Sequence, residues 1–208
     1  MSVTVTKDLQ TAIEALQAGK VVAYPTETFY GLGVDATNGE ALRALFVLKN
    51  RPPFKPFPIL LPDVRSLGKY VTPTPPNVRK LVNQYWPGAL TIVLPASGLP
   101  SELMNRDGGV GFRVTGHPLA SKLVKGFGGC ITTTSANPGG KPSARTATEV
   151  VNYFRNADLC VLDGGSTPGG QASTVIELSG GNAPKLLRSG PISWEEIEST
   201  IGTSSRSR

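Results

Sequence analysis

The chain is poor in the residues from which many sites are built. Among 208 residues there are one histidine, two cysteines, two methionines and two tryptophans. Cys130, Cys160 and His117 lie far apart in sequence, which argues against a structural zinc site. A Ser-His-Asp triad would rest wholly on His117, which directly precedes Pro118. Acidic residues are also scarce, 15 Asp and Glu against 21 Lys and Arg, and no pair of carboxylates has a spacing that suggests acid–base partnership. No apolar run approaches the roughly 20 residues of a membrane span. The opening Met-Ser-Val-Thr-Val-Thr-Lys-Asp has no signal-peptide core. Both cysteines sit in apolar runs and are expected as buried free thiols, which suits a reducing compartment. The expectation is a cytoplasmic protein with no membrane contact, or in a eukaryote an organellar one whose targeting segment is absent.

Two familiar nucleotide-binding loops are missing as well. Gly140-Lys141 is followed by Pro142, and Ser135 stands where a Walker loop would need its first glycine. Gly31-Leu-Gly33-Val-Asp-Ala36 satisfies G-x-G-x-x-A, but a run that includes Pro25 separates it from the strand it would have to follow directly.

What the chain does have is 24 glycines and 18 prolines spread along its length, which reads as many turns rather than a disordered tract. Its net charge of +6 fits an anionic partner such as a nucleotide or RNA, and equally an ordinary soluble surface. The stretch from Tyr24 to Ala36 leaves the apolar run Val21-Val22-Ala23 through Pro25 and then crowds hydroxyls and glycines together. A polar glycine-bearing loop at the exit of a core strand suits a ligand site in an α/β protein.

Periodicity and punctuation predict a helix over Asp8 to Ala18 stopped by Gly19, and a strand from Val21 to Tyr24. The capping pattern Thr37-Asn-Gly-Glu40 predicts a helix over Ala41 to Leu48. Strands follow at Phe57 to Leu61, Ala89 to Leu94, Val110 to Val114 and Cys130 to Thr134. Further strands are read at Leu159 to Leu162, Ser173 to Leu178 and Pro184 to Leu187. Helices are read at Asn77 to Tyr85, His117 to Lys125 and Val150 to Arg155, the last behind a second capping pattern at Thr146 to Glu149, and a short final helix is capped by Ser193. Thr203 to Arg208 reads as a frayed tail. Strands and helices mix without strict alternation, so the expected fold class is α/β, a twisted open mixed sheet flanked by helices. With no internal repeat and no linker, a single domain is expected over 1–208, its core at about 8–195.

Cations recur in unusual places. Lys49, Arg51 and Lys55 stand on a proline-stiffened loop, Arg113 lies inside an apolar run, and Arg188 closes Leu186-Leu187. An arginine in such a setting needs an anionic partner, because burying a lone guanidinium costs several kcal/mol, about 3–5 when a partner is removed. The loop Ser135 to Ser143 adds hydroxyls, an amide and glycines whose N–H groups can cup an anion.

Taken together these segments resemble the YrdC/Sua5 family of threonylcarbamoyl-AMP synthases. The resemblance is carried, in the family's order, by Tyr24-Pro-Thr-Glu-Thr-Phe-Tyr-Gly-Leu-Gly33, Lys49-Asn-Arg-Pro52, Trp86-Pro-Gly-Ala-Leu-Thr91, Arg113, Thr134-Ser-Ala-Asn137 with Gly140 to Ser143, Ser173-Thr-Val175 and Leu187-Arg188. It implies a YrdC-like fold with one large basic concave cavity. It also implies a reaction in which L-threonine, bicarbonate and ATP give threonylcarbamoyl-adenylate and pyrophosphate. Magnesium would arrive with ATP, no protein side chain would hold a metal, and no covalent enzyme intermediate would form. Other proteins, a downstream threonylcarbamoyl transferase complex, would pass the group to a tRNA adenosine to give t6A. Whether tRNA touches this chain directly stays open.

By the same resemblance Thr28, Thr133 and Ser173 are threonine contacts and Arg113 meets the threonine carboxylate. Arg51, Lys55, Ser135, Asn137, Ser143 and Arg188 are ATP contacts. Lys49 faces the reacting carboxylate or phosphate and, with Arg51, is the catalytic pair. The sequence departs from the family at Leu60, where related proteins carry a threonine-contacting His, and at Lys55, Gly109 and Gly139, where Asn, a hydroxyl residue and Ser are common. It resembles the short single-domain form. Two alternatives stay open: an RNA-binding module of the same shape without catalysis, and a paralogue that adenylates a different carbamoyl donor.

Overall fold

The computed structural model describes residues 2–52, 55–178 and 184–202. The chain runs β1 (Val3–Thr6), α1 (Leu9–Gln17), β2 (Val21–Pro25), β3 (Tyr30–Gly33), α2 (Gly39–Lys49), β4 (Ile59–Leu60), α3 (Pro76–Tyr85), β5 (Leu90–Pro95) and β6 (Gly109–Arg113). It continues through α4 (Pro118–Phe127), β7 (Ile131–Thr132), β8 (Thr134–Ser135), α5 (Ala147–Phe154), β9 (Leu159–Leu162), β10 (Thr174–Glu177), β11 (Lys185–Arg188) and α6 (Trp194–Ile201). No described helix is long and apolar enough to cross a membrane. The expected tail at Thr203 to Arg208 lies outside the described residues, as do Pro53 and Phe54 of the cationic loop.

The fold is mixed α/β with open sheets flanked by helices, and its strands divide between two sheets. One has the order β1-β9-β2-β3-β8, the other β11-β10-β5-β6-β4-β7. Parallel and antiparallel pairings occur in both: β2 runs parallel to β9 and antiparallel to β3, while β5 runs parallel to β10 and antiparallel to β6.

The apolar run at β2 is continuous because both of its faces are covered. Val21 and Ala23 point into the larger core, which also holds Tyr30, Leu32, Ile59 and Phe112. Val22 and Tyr24 point the other way, into a smaller core beneath α1 and α4 with Leu16, Leu60, Leu123 and Ile131. Alternation of side chains along a strand produces this split.

Several helix ends follow local chemistry. Asp8 accepts hydrogen bonds from the backbone of Gln10 and Thr11 to start α1, and Gly19 beyond its end has φ of 73°. Ser193 and Glu196 form a reciprocal capping box at α6. The expected box at Thr37 does not form. The Thr37 hydroxyl donates to Asp35 at 2.7 Å, and the helix is capped one residue later by Asn38, which accepts from Glu40 and Ala41. At α5 Thr146 caps as expected, while Glu149 accepts from Arg145 N at 2.6 Å, one residue outside the box.

Two differences matter for the site. Tyr30 to Gly33, expected as loop, is a strand that closes a hairpin with β2, since β2 offers its free edge and Leu32 joins the larger core. The strand expected over Cys130 to Thr134 is broken at Thr133. β7 belongs to the second sheet and β8 to the first, so the backbone steps from one sheet to the other at that residue. The step is held on both sides: Thr133 N donates to Pro58 O at 2.7 Å, and Val34 N donates to the fully buried Thr132 Oγ1 at 3.0 Å. Gly33 is required here, because a Cβ at that position would lie 2.6 Å from Thr132 O. β1 has no counterpart in the sequence reading; it is a short edge strand with half-polar sequence, legible only from its pairing with β9.

Candidate functional site

The sheet-to-sheet step opens a cavity of about 880 Å³ whose wall is drawn from both sheets. β3 and β8 contribute Gly31, Thr134 and Ser135, and the turn before β3 adds Thr26 and Thr28. β5, β6 and β11 contribute Thr91, Arg113 and Arg188. The loop after α2 adds Arg51 and Lys55. Of the candidate residues, Thr28, Arg51, Lys55, Arg113, Thr133, Ser135, Ser143, Ser173 and Arg188 all line this one cavity, and among the described residues no carboxylate does. Lys49 and Asn137 are not in the wall.

Lys49 stands behind it. The side chain is 6% exposed at the end of α2, and Nζ donates to Ser135 O at 2.6 Å, to Asn137 O, and to Asn137 Oδ1 at 3.3 Å. Asn137 in turn donates through Nδ2 to Lys141 O and accepts from the Ser135 hydroxyl. Here its ammonium fastens the Ser135–Lys141 turn and does not line the cavity. Helix geometry decides this, since α2 buries Ala41, Leu42, Leu45 and Lys49 on one face. Burial, and then the charge of Arg51, push the Lys49 ammonium down to about 8.

Arg51 is also partly committed. Its Nε donates to Lys55 O at 2.6 Å and its Nη2 to Pro56 O at 3.0 Å, and the guanidinium carbon lies 4.8 Å from the centre of the Phe57 ring. These bonds curl the loop so that Lys55 and Arg51 both reach the cavity. Arg188 donates from Nε to Ser173 O at 3.0 Å and from Nη2 to Ser173 Oγ at 2.9 Å, and Ser173 Oγ lies 2.9 Å from Thr91 Oγ1. Crowding by protein, then the charges of Arg113 and Arg51, push the Arg188 guanidinium below the ordinary value. Those charge effects record that cations from three distant parts of the chain converge.

Arg113 is the most enclosed of them, at 6% exposed. Its Nε donates to Gly88 O at 3.0 Å. Glu27 Oε1 lies 2.7 Å from Nη2, an ion pair that buries this nitrogen against the carboxylate. Burial raises the Glu27 carboxyl, yet Arg113 and hydrogen bonds outweigh it and hold the group below its ordinary value.

The positions of departure separate clearly. Leu60 is 1% exposed in the smaller core and does not line the cavity, so no ligand contact falls on it here. Gly109 does line it, and a Cβ there would lie 2.9 Å from both Asn105 Nδ2 and Val93 Cγ1. The Asn105 amide fills the space that a side chain at 109 would need, and Asn105 Oδ1 accepts from Gly109 N at 2.7 Å. A Cβ at Gly139 would meet nothing within 4 Å. Sequence reasoning missed Glu27, Thr26, Thr91 and Asn105. The available signal for Glu27 was that it is the one carboxylate between Tyr24 and Gly33, set between the hydroxyls of Thr26 and Thr28.

These features define an α/β protein with a cationic cleft between two sheets, suited to a ligand that carries more than one negative group. The chain belongs to the Sua5/YciO/YrdC family, whose model, described as telomere recombination, matches residues 14–190. It is 38% identical over 203 residues to a threonylcarbamoyl-AMP synthase of Bacillus subtilis, covering 95% of this chain and 58% of the relative. It is 38% identical over 190 residues to the threonylcarbamoyl-AMP synthase of Pyrococcus abyssi, covering 90% and 55%. The crystal structure of P. abyssi Sua5 complexed with L-threonine superposes with a TM-score of 0.89 at 35% identity, covering 98% of this chain and 62% of that one. The chain thus spans 58% and 55% of the length of these two curated relatives.

Proposed function

We propose that this chain makes threonylcarbamoyl-AMP from L-threonine, bicarbonate and ATP. Its similarity to named synthases over most of its length supports this, as does the likeness to a structure that holds L-threonine. The observation that carries the reading is Arg113: an enclosed guanidinium that lines the same cavity as Arg51, Lys55 and Arg188, with no carboxylate among the described lining residues. An amino-acid carboxylate is an anion suited to it. A triphosphate satisfies the other three cations, and magnesium arrives with it as part of the substrate.

In this reading the threonine amine attacks bicarbonate and water leaves, giving a carbamate. A carbamate oxygen then attacks the α-phosphorus of ATP, the bond to the β-phosphate oxygen breaks, and pyrophosphate departs. The enzyme's work is placement and charge stabilisation, since no side chain need form a bond to substrate. Arg51, Lys55 and Arg188 meet the phosphate charge, and Ser135 and Ser143, which line the same cavity, add hydroxyls. Thr28, Thr133 and Ser173 offer hydroxyls to threonine. Lys49 and Asn137 hold the Ser135 turn in shape. The adenylate is a mixed anhydride that an acceptor must take up; a downstream transferase acting on tRNA is that acceptor in this proposal.

One incubation tests it. Protein, Mg-ATP, L-threonine and bicarbonate are expected to yield pyrophosphate and an AMP-linked product that require threonine. Equal product without threonine would point to another carbamoyl donor. No product, with RNA affinity that falls steeply with salt, would point to a binding module.

A pH prediction follows from Lys49. Its folded pKa is depressed to about 8, so the ammonium is lost as pH rises through that value, whereas an unfolded lysine keeps its proton to about 10.4. Charge-assisted bonds to the Ser135 and Asn137 carbonyls weaken on deprotonation. Affinity for a non-hydrolysable ATP analogue should fall about tenfold, roughly 1.4 kcal/mol, above that pH. In Lys49→Met the affinity should be low throughout, with no step near 8. A step that persists in the variant would place the titrating group elsewhere.

A further inference from the structure

Glu27 sits outside the cavity wall, yet it is the only carboxylate in ion contact with Arg113 among the described residues. Its own position is fixed twice by the backbone that follows Arg113. Thr115 Oγ1 donates to Glu27 Oε2 at 2.8 Å, and Gly116 N donates to Oε1 at 3.2 Å. Thr115 is 2% exposed and also accepts from His117 N at 3.2 Å, which ties the arrangement to the residue that caps α4. Guanidinium, carboxylate, hydroxyl and peptide therefore close a small ring between the β2–β3 turn and the exit of β6.

Glu27 Oε1 lies 2.7 Å from Nη2, and Nη2 is buried against it, while Arg113 still lines the cavity. The carboxylate therefore balances the charge from outside the wall. Burying an unbalanced guanidinium would be strongly unfavourable.

We propose that Glu27 is the positioning residue for Arg113: it pairs with Nη2, balances the buried charge, and so holds the guanidinium at the cavity wall, where its remaining N–H groups meet the carboxylate of the amino-acid substrate. The inference rests on the proposed activity and assigns to Glu27 a share in amino-acid selection. It predicts a loss confined to one ligand. Glu27→Gln should weaken L-threonine binding about tenfold or more while leaving a non-hydrolysable ATP analogue within about twofold, a split of roughly 1 kcal/mol between the two sites. Glu27→Asp, which keeps the charge on a shorter stem, should recover part of the threonine affinity. Thr115→Val removes one of the two bonds that fix the carboxylate and should weaken threonine about threefold with the ATP analogue unchanged, about 0.6 kcal/mol; it decides the matter if Glu27→Gln does not fold.

The measurement is calorimetric titration of wild type and variants with L-threonine and with the analogue, alongside melting. Threonine affinity that is unchanged or tighter in the variants would overturn the inference. Equal weakening of both ligands in step with a lower melting temperature would overturn it too, by showing a merely structural role. Wild-type protein that binds no L-threonine would bring down the proposed activity itself, and this inference with it.

Discussion

Arg113→Lys should raise the KM for threonine at least about tenfold, and Arg113→Ala about a hundredfold or more, since removing one partner of a buried charge pair costs about 3–5 kcal/mol. The lysine variant is the cleaner experiment. It keeps a positive charge beside Glu27, so folding is largely preserved, but an ammonium cannot present two parallel N–H groups to a carboxylate. Alanine leaves Glu27 unpaired, with 23% of its side chain exposed, and should lower the melting temperature as well. Steady-state kinetics with threonine varied at saturating ATP, then the reverse, would separate the effects. If Arg113→Lys kept the wild-type KM for threonine, the carboxylate would have to bind elsewhere.

The second large effect belongs to the phosphate side. Arg51→Ala and Arg188→Ala should each depress the rate of pyrophosphate release about a hundredfold, roughly 2.7 kcal/mol of transition-state stabilisation. Melting should shift little, by about 2–4 °C, the change expected for about 1 kcal/mol in a protein of this size. The reason lies in their bonds. Arg51 donates to Lys55 O and Pro56 O within its own loop, and Arg188 donates to Ser173, another residue of the wall. Neither closes a deep core contact whose loss would unfold the chain. Activity measured beside melting curves decides it: losses of both in proportion would mean these arginines act on the fold rather than on the reaction.

Much of the frame was legible in the sequence because it follows from local rules. Gly19 after an amphipathic run stops α1, Ser193 with Glu196 starts α6, and Pro118 stands at the first turn of α4. The misreadings share one origin. Tyr30 to Gly33 carries two glycines and looks like loop, yet it pairs with β2 because that edge was open. Cys130 to Thr134 looks like one strand, yet Thr132 and Thr134 pair in different sheets. Partners distant in the chain made both decisions. The Thr37 pattern failed for a local reason, because Asp35 was within reach of the hydroxyl that should have capped.

The same division runs through the site. Motif order brought Thr28, Arg51, Lys55, Arg113, Thr133, Ser135, Ser143, Ser173 and Arg188 forward as candidates, and they line one cavity. Which way each side chain faces could not be read from order. Lys49 belongs to a matching segment and Leu60 is a point of departure from the family, and neither lines the wall.

By itself the amino-acid sequence determined the helices and most of the strands, the family, and the residue types available to bind anions, because helix periodicity, turn chemistry and motif spacing are properties of neighbours along the chain. Only the tertiary structure decided that the strands form two sheets, that the backbone crosses between them at Thr133, and that Glu27 reaches Arg113. Those outcomes depend on which distant edges and charges are brought within hydrogen-bonding and Coulomb range, and that range is a property of space rather than of sequence separation.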